Sequence, residues 1–318
     1  MSLAIGVDIG GTKVAAGVVG ERGEILDRER RDTPGSDIAR TEATIVEVVD
    51  ALASRHPVET VGIGAAGWIA GDHATVLFSP HLAWRDEPLR NALAGRIRQP
   101  VLVENDANAA AWAEYRFGAA RDEPVVVCVT LGTGIGGGLV SGGAVYHGAF
   151  GVAGEFGHMT VVPEGRRCAC GNQGCWEMYA SGRALARDAR ELARESPLAA
   201  ARMVELAGGV DSLTGPVVTR AAAAGDPAAQ SICTTMGRWL GRGLASLAAI
   251  VDPAVFVIGG GVSEVGELLL GPARDEFAHS LPGRGFRPQA RIAAAALGPD
   301  AGLVGAADLA RRHVGARR

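Results

Sequence analysis

The chain has no basic n-region followed by a long apolar h-region; it enters an apolar run at Leu3–Val7 and meets Asp8 at once. No signal peptide is expected on that reading. A membrane span is missing as well. The longest apolar run, 244–262, is broken by Asp252-Pro253 and three consecutive glycines, and reads as a helix, a turn and a buried strand. No basic stripe and no acidic tail accompany the net charge of -4, so neither nucleic acid nor a disordered charged partner is expected. There is no low-complexity linker. Cysteine is scarce, five in 318 residues, and without an export signal it points to a reducing cytoplasm. What remains is ordinary for a soluble globular protein: 47% hydrophobic and 21% charged residues, in a length that suggests two domains.

The scarce cysteines are not scattered. Cys168, Cys170 and Cys175 fall within eight positions, ten residues after His158. Three thiolates and one imidazole make a complete tetrahedral set for zinc, closed and structural because no position is left for water. Gly171 and Gly174 let the chain double back so that Cys170 and Cys175 converge. A disulfide is the competing reading, but Cys168 and Cys170 are too close in sequence for an easy bridge, and three cysteines leave one over. Cys128 and Cys233 sit in apolar contexts and read as core residues.

Along the chain, Leu3–Asp8 reads as a buried strand, Gly10-Gly11-Thr12 as a tight turn and Lys13–Val19 as the returning strand. The segment 24–31 alternates as a third strand would. Helical spacing covers 41–54, with Ile45, Val48, Val49 and Leu52 on one face. A strand at 61–65, a helix at 89–97, a strand at 101–104 and an alanine-rich helix at 107–117 follow. Then the opening pattern recurs: strand 125–131, turn Gly132-Thr133-Gly134, strand 135–141. This internal echo suggests two related domains facing each other. The chain is mostly helical over 182–250, has a strand at 255–258 and ends in a helix over 301–313. A domain boundary is expected near 117–123.

Asp8-Ile9-Gly10-Gly11-Thr12-Lys13 follows a strand directly. Its glycines expose backbone N–H groups that can cradle a phosphate, Thr12 adds a hydroxyl, and Asp8 could orient magnesium. It is not a Walker loop, and glycine is the default residue of any hairpin turn. In Leu131–Gly138, five glycines in seven positions weaken the strand and call for a backbone approached closely by a ligand. Glu104-Asn105-Asp106-Ala107-Asn108 stands at a strand-to-helix junction. Asn105 or Asp106 there is either a helix N-cap or, for Asp106, a base that accepts a hydroxyl proton. Glu155 and Glu177 flank the cysteine segment; they are solvated acids or, if a metal pins the loop, fixed acceptors for sugar hydroxyls.

Taken together, Asp8–Lys13, Glu104–Asp106, Leu131–Gly138, Glu155–His158 and Cys168–Glu177 resemble the ROK family of sugar kinases and related repressors, and the pattern is similar to its bacterial glucokinases. The resemblance implies an α/β, actin-like ATPase (ribonuclease H-like) fold with two domains around a cleft: 1–118, and 119–300 with the zinc loop, the helix 301–314 returning to the first. It implies ATP phosphates, with Mg2+, at Asp8, Gly10, Gly11, Thr12, Lys13, Gly132, Thr133 and Gly134, and adenosine near Gly260 and Gly261. Asp106 would be the catalytic base; Asn105, Asp106, Glu155, His158 and Glu177 would hold the sugar; His158, Cys168, Cys170 and Cys175 would bind structural Zn2+. The implied activity is ATP-dependent phosphorylation of glucose at the 6-hydroxyl, by a cytoplasmic homodimer or homotetramer. The competitors are a kinase for another hexose or N-acetylhexosamine, and a sugar-sensing regulator, which would need a DNA-reading module that has no room before Asp8. Two segments depart from the family pattern: Gly64-Ala65-Ala66-Gly67 lacks a proline, and His81-Leu82-Ala83-Trp84 has His81 where an asparagine is usual.

Overall fold

The computed structural model describes residues 2–315. The chain divides into two compact units, Met1–Cys128 with Gly138–Gly154 and Ala296–Arg318, and Val129–Gly137 with Glu155–Ala295. The first begins with β1 (Leu3–Ile9), β2 (Lys13–Val19) and β3 (Ile25–Asp32), then α1 (Ile38–Ala53) and β4 (Val58–Ala65). Three short strands follow, β5 (Trp68–Ile69), β6 (Val76–Phe78) and β7 (Arg85–Glu87), then α2 (Leu89–Leu93), β8 (Val101–Asn105) and α3 (Asp106–Phe117). The next strands are β9 (Val125–Leu131), β10 (Ile135–Ser141) and β11 (Ala144–Val145).

The main sheet of the first unit has the order β3-β2-β1-β4-β8. β1 and β2 form the expected antiparallel hairpin, and β4 pairs parallel to both β1 and β8. Strand alternation sends successive side chains of β1 to opposite faces. Ile5, Val7 and Ile9 share one core with Ile45, Val48, Val49 and Leu52 of α1 and Leu89 and Leu93 of α2. Ala4 joins the other core, with Ala110 and Ala113 of α3 and Leu303, Val304 and Ala307 of the last helix. On that face the sheet must be bare for the helix to come close: a Cβ on Gly6 or Gly62 would run into the carbonyls of Leu303 or Ala306.

The second unit contains α4 (Gly182–Glu195), α5 (Pro197–Ala207), α6 (Gly215–Ala223), α7 (Pro227–Val251), β12 (Val255–Gly259), α8 (Glu267–Ser280) and β13 (Arg291–Ala294). The chain closes with α9 (Ala301–Gly315), which packs on α3, β4 and β1. The second sheet has the order β11-β10-β9-β12-β13, which repeats that of the first sheet strand for strand: a hairpin's later strands, its first strand, then two later strands. The echo seen in the glycine turns is therefore an echo of whole sheets.

Two details differ from the sequence reading. The helix at 89–97 stops at Leu93, because Gly95 takes a positive φ of 80° and Ala94 bridges to Ile97. The small antiparallel sheet β5-β6-β7 was not foreseen; strands of two or three residues are too short to display a period. Cys128 and Cys233 are buried as expected, and all five cysteines are free thiols. Burial pushes Cys233 up to about 11; burial and then the Glu114 carboxylate push Cys128 up to about 12, so both are inert. Among the described residues, no helix is long and apolar enough to cross a membrane.

Candidate active site

The first glycine turn is held by backbone and side-chain bonds. Gly10 N donates to Lys13 O (3.0 Å), Thr33 N to Thr12 O (3.1 Å) and Thr33 Oγ1 to Gly10 O (2.9 Å). Gly11 and Thr12 are exposed at its tip. Asp8 stands one strand position before the end of β1; burial raises its carboxyl above the usual range, against the nearby Lys13 charge, which lowers it. A cation beside it would favour the ionised form. His81, the residue that departs from the family pattern, lies against this turn: a Cβ on Gly11 would sit 3.0 Å from that of His81. Its neighbours Leu82 and Trp84 are core residues.

The second glycine turn belongs to the other unit. Gly132 N donates to Gly134 O (3.0 Å), while Gly132 O accepts from Gly182 N (2.8 Å) at the start of α4. Gly260, at φ 84°, lies against the backbone of Leu131, where a Cβ would find the Leu131 nitrogen at 2.6 Å. The expected nucleotide-side residues Gly132, Thr133, Gly134, Gly260 and Gly261 are thus brought to one place by the ends of β9 and β12. A Cβ on Gly134 would collide with Glu177 Oε2. The glycine here makes room for a carboxylate, as well as exposing backbone.

The cysteine segment forms a cage. Cys170 and Cys175 sulfurs lie 3.6 Å apart, and Cys168 Sγ lies 3.7 Å from His158 Nδ1. Ligands sharing a tetrahedral zinc with bonds of about 2.3 Å to sulfur and 2.0 Å to nitrogen stand about 3.5–3.8 Å apart. The donor set and its spacing therefore fit that ion. Gly171 and Gly174 take φ of 97° and 77°, and a Cβ on Gly174 would strike the Val162 carbonyl. Trp176, fully buried, anchors the loop on α7 by donating from Nε1 to Trp239 O (2.8 Å). The two flanking acids stand beside the cage. Cys168 Sγ donates to Glu177 Oε1 (3.1 Å), and His158 Nε2 faces Glu155 Oε2 at 3.9 Å. His158 thus has one ring nitrogen toward the thiols and one toward Glu155.

In the first unit, Asn105 is the N-cap of α3, accepting from Asn108 N (2.9 Å). The capping reading is correct for Asn105, yet its side chain does more. Asn105 Nδ2 donates to Gly67 O (2.9 Å) and to Asp106 Oδ1 (3.2 Å), which also accepts from Ala107 N (2.9 Å). Asn105 and Asp106 are therefore held together, and the structure brings Glu155, His158 and Glu177 together in the other unit. Sequence reasoning missed the residues behind Asn105. Glu104, 2% exposed, is met by His147 and His73, which lie 43 and 31 positions away from it. Neither histidine sits in a local pattern that could have marked it.

The sequence signature of the ROK family matches residues 4–313.

The chain belongs to the ROK family.

Its relatives within the family are informative. It is 49% identical over 312 residues to a glucokinase of Streptomyces coelicolor, covering 98% of each chain. It is 37% identical over 262 residues to an N-acetylmannosamine kinase of Escherichia coli, covering 81% of this chain and 82% of that one. Among solved structures it resembles a ROK glucokinase from Streptomyces griseus in complex with glucose and AMPPNP, with a TM-score of 0.90, 52% identity, and coverage of 98% of this chain and all of that one (100%). The mixed α/β architecture with duplicated sheets is the actin-like ATPase fold of these ROK kinases.

Proposed function

We propose that this ROK protein is a glucokinase, transferring the γ-phosphoryl group of ATP to the 6-hydroxyl of glucose. The observation that carries the reading is the likeness, end to end, to a glucokinase crystallised with glucose and an ATP analogue. The residues agree with it. Phosphoryl transfer needs positioning and charge stabilisation more than covalent chemistry. Asp106 is the base: its carboxylate, fixed by Asn105 and Ala107, takes the hydroxyl proton as the new bond to phosphorus forms. Asn105, Glu155, His158 and Glu177 bind the sugar hydroxyls. The glycine turns at Gly10–Thr12 and Gly132–Gly134, with Lys13, hold the phosphates through backbone N–H groups, and Gly260 and Gly261 lie toward the adenosine. Asp8 is the residue for Mg2+, which would neutralise phosphate charge. His158, Cys168, Cys170 and Cys175 would hold Zn2+, whose contribution is a rigid loop under Glu155 and Glu177. In this reading the protein works in the cytoplasm as a homodimer or homotetramer.

One observation favours a second reading, the N-acetylmannosamine kinase likeness. A screen of ADP release over glucose, mannose, fructose and N-acetylmannosamine, with and without chelator, separates the two. Turnover highest on glucose with glucose 6-phosphate as product is expected. Higher kcat/KM on the N-acetylated sugar overturns the assignment in favour of the second.

A further inference from the structure

A carboxylate as buried as Glu104 must have its lone pairs occupied. Its Oε1 accepts from Asn105 N (2.8 Å) and Asn108 Nδ2 (3.1 Å). Its Oε2 accepts from His147 Nε2 at 2.7 Å, with His73 Nδ1 at 3.5 Å. The rings of His73 and His147 meet edge-on, centroids 4.7 Å apart, and His313 of α9 stands 6.3 Å beyond His73. Two histidines and a carboxylate are also a metal-ligand set. Ligands sharing an ion with bonds of about 2.0 Å lie about 3.3 Å apart, however. A separation of 2.7 Å is a charge-assisted hydrogen bond instead.

That bond joins two distant pieces of the first unit. Glu104 is the penultimate residue of β8, directly before Asn105 and Asp106. His147 belongs to the 138–154 segment, which is docked independently at both sides. Gly138 lies on α3, where a Cβ would be 2.6 Å from that of Ala111, and Gly151 lies on the backbone of 69–71. Ala153 N donates to His147 O (3.1 Å), pinning the histidine's backbone within the segment. The histidine therefore holds the carboxylate from a fixed base. The carboxylate holds Asn105 by its backbone and Asn108 by its amide. Asn108 N in turn fixes the Asn105 side chain, whose amide donates to Asp106.

We propose that Glu104 and His147 are positioning residues for Asp106: neither touches a reacting atom, and together they set the orientation of the base and of Asn105. This rests on the reading of Asp106 as the base of a sugar kinase. Misplacement of a catalytic group by a fraction of an ångström to 1 Å costs up to about a hundredfold in rate. Burial opposes ionisation of both partners. For Glu104 it is outweighed by the His147 hydrogen bond and charge and by the two N–H donors, so its carboxyl lies below the usual range. For His147 it is outweighed by the Glu104 hydrogen bond and charge, so its imidazole lies above the usual range.

The test is a pair of substitutions at His147. Gln places an amide N–H near the position of Nε2–H; Leu fills the volume without a donor. His147→Leu should lower kcat about tenfold or more with KM for ATP unchanged, while His147→Gln recovers to within about threefold of wild type. Leu matching or exceeding Gln would mean the histidine only fills space, and the proposal falls. A second readout needs no sugar. The His147 imidazole, followed by NMR, should titrate above the ordinary histidine range and move down in Glu104→Gln; an unchanged titration breaks the pair. Zinc content should be the same in wild type and His147→Leu. An equivalent lost in that variant would make the cluster a metal site and overturn the hydrogen-bonded role. A wild type inactive on every sugar would sink the kinase reading while leaving the titration result to stand.

Discussion

Two clusters of polar side chains, one in each unit, do the same job by opposite means. Around Cys168, Cys170, Cys175 and His158 two donor pairs stand 3.6 and 3.7 Å apart and all four donors lie within 4.8 Å of one another, a spacing suited to an ion between them. Around Glu104 and His147 the spacing is 2.7 Å, and the groups bond to each other. The first cluster is a loop of tight turns with Cys170 exposed, and an isolated loop of this kind has little core of its own to hold it. The second is seated at the end of a buried strand and on a capped helix. Each ends on an acid of the proposed site: Glu177 beside Cys168, Asp106 one residue beyond Asn105. The difference teaches that polar groups can be locked in place either around a shared ion or by direct hydrogen bonds that satisfy one another.

The comparison breaks hardest at Asp106. Asp106→Asn keeps the shape and the Asn105 contact region but removes the base, so turnover should fall at least about a hundredfold with glucose still bound. Calorimetry for binding and a coupled assay for turnover check it; near-wild-type turnover removes Asp106 from its role. At the other cluster, Cys170→Ala should release zinc and lower Tm by roughly 5–10 °C, the shift that about 2–3 kcal/mol produces in a domain of this size. It should weaken glucose binding more than ATP binding. Elemental analysis and thermal melts measure this, and zinc retained at one equivalent by the variant disproves the cage.

A finer cut separates Glu177 from the cage that holds it. Gly134→Ala puts a methyl where Glu177 Oε2 now lies, and the carboxylate, the end of a flexible chain, swings aside. KM for glucose should rise about tenfold, the loss of roughly one hydrogen bond to a charged group, with zinc content and Tm unchanged. A Tm loss equal to that of Cys170→Ala would mean that the turn and the cage are one structural unit.

The smallest expected effect is on pH. The raised His147 group contributes stability that is complete below its unfolded value, about 6.5, and is lost as pH rises through the higher folded value. The lowered Glu104 group contributes stability above its unfolded value, about 4.3, and loses it as pH falls through the lower folded value. The Tm difference between wild type and His147→Gln should therefore be largest between those limits and shrink in alkali. A difference that grows with pH reverses the sign and refutes the pairing.

The sequence by itself determined whatever depends on residues close together. The cage was legible because its ligands fall within 158–175, and three thiols with one imidazole in so short a span make a metal-ligand set. The two glycine turns were legible because strand–glycine–strand is a local pattern, but that whole sheets repeat was visible only in the strand orders. Asn105 and Asp106 could be located but not understood, since the same residue types serve as caps. Only the tertiary structure decided what stands behind them. His73, Glu104 and His147 come from a turn, a strand and a loop, and no periodicity links them. Nor could the chain announce that Gly134 makes room for Glu177, 43 positions away. Long-range contacts arise from packing the sheet between its helices, and the chain writes that packing as hydrophobic pattern alone, without naming which polar groups it will bring face to face.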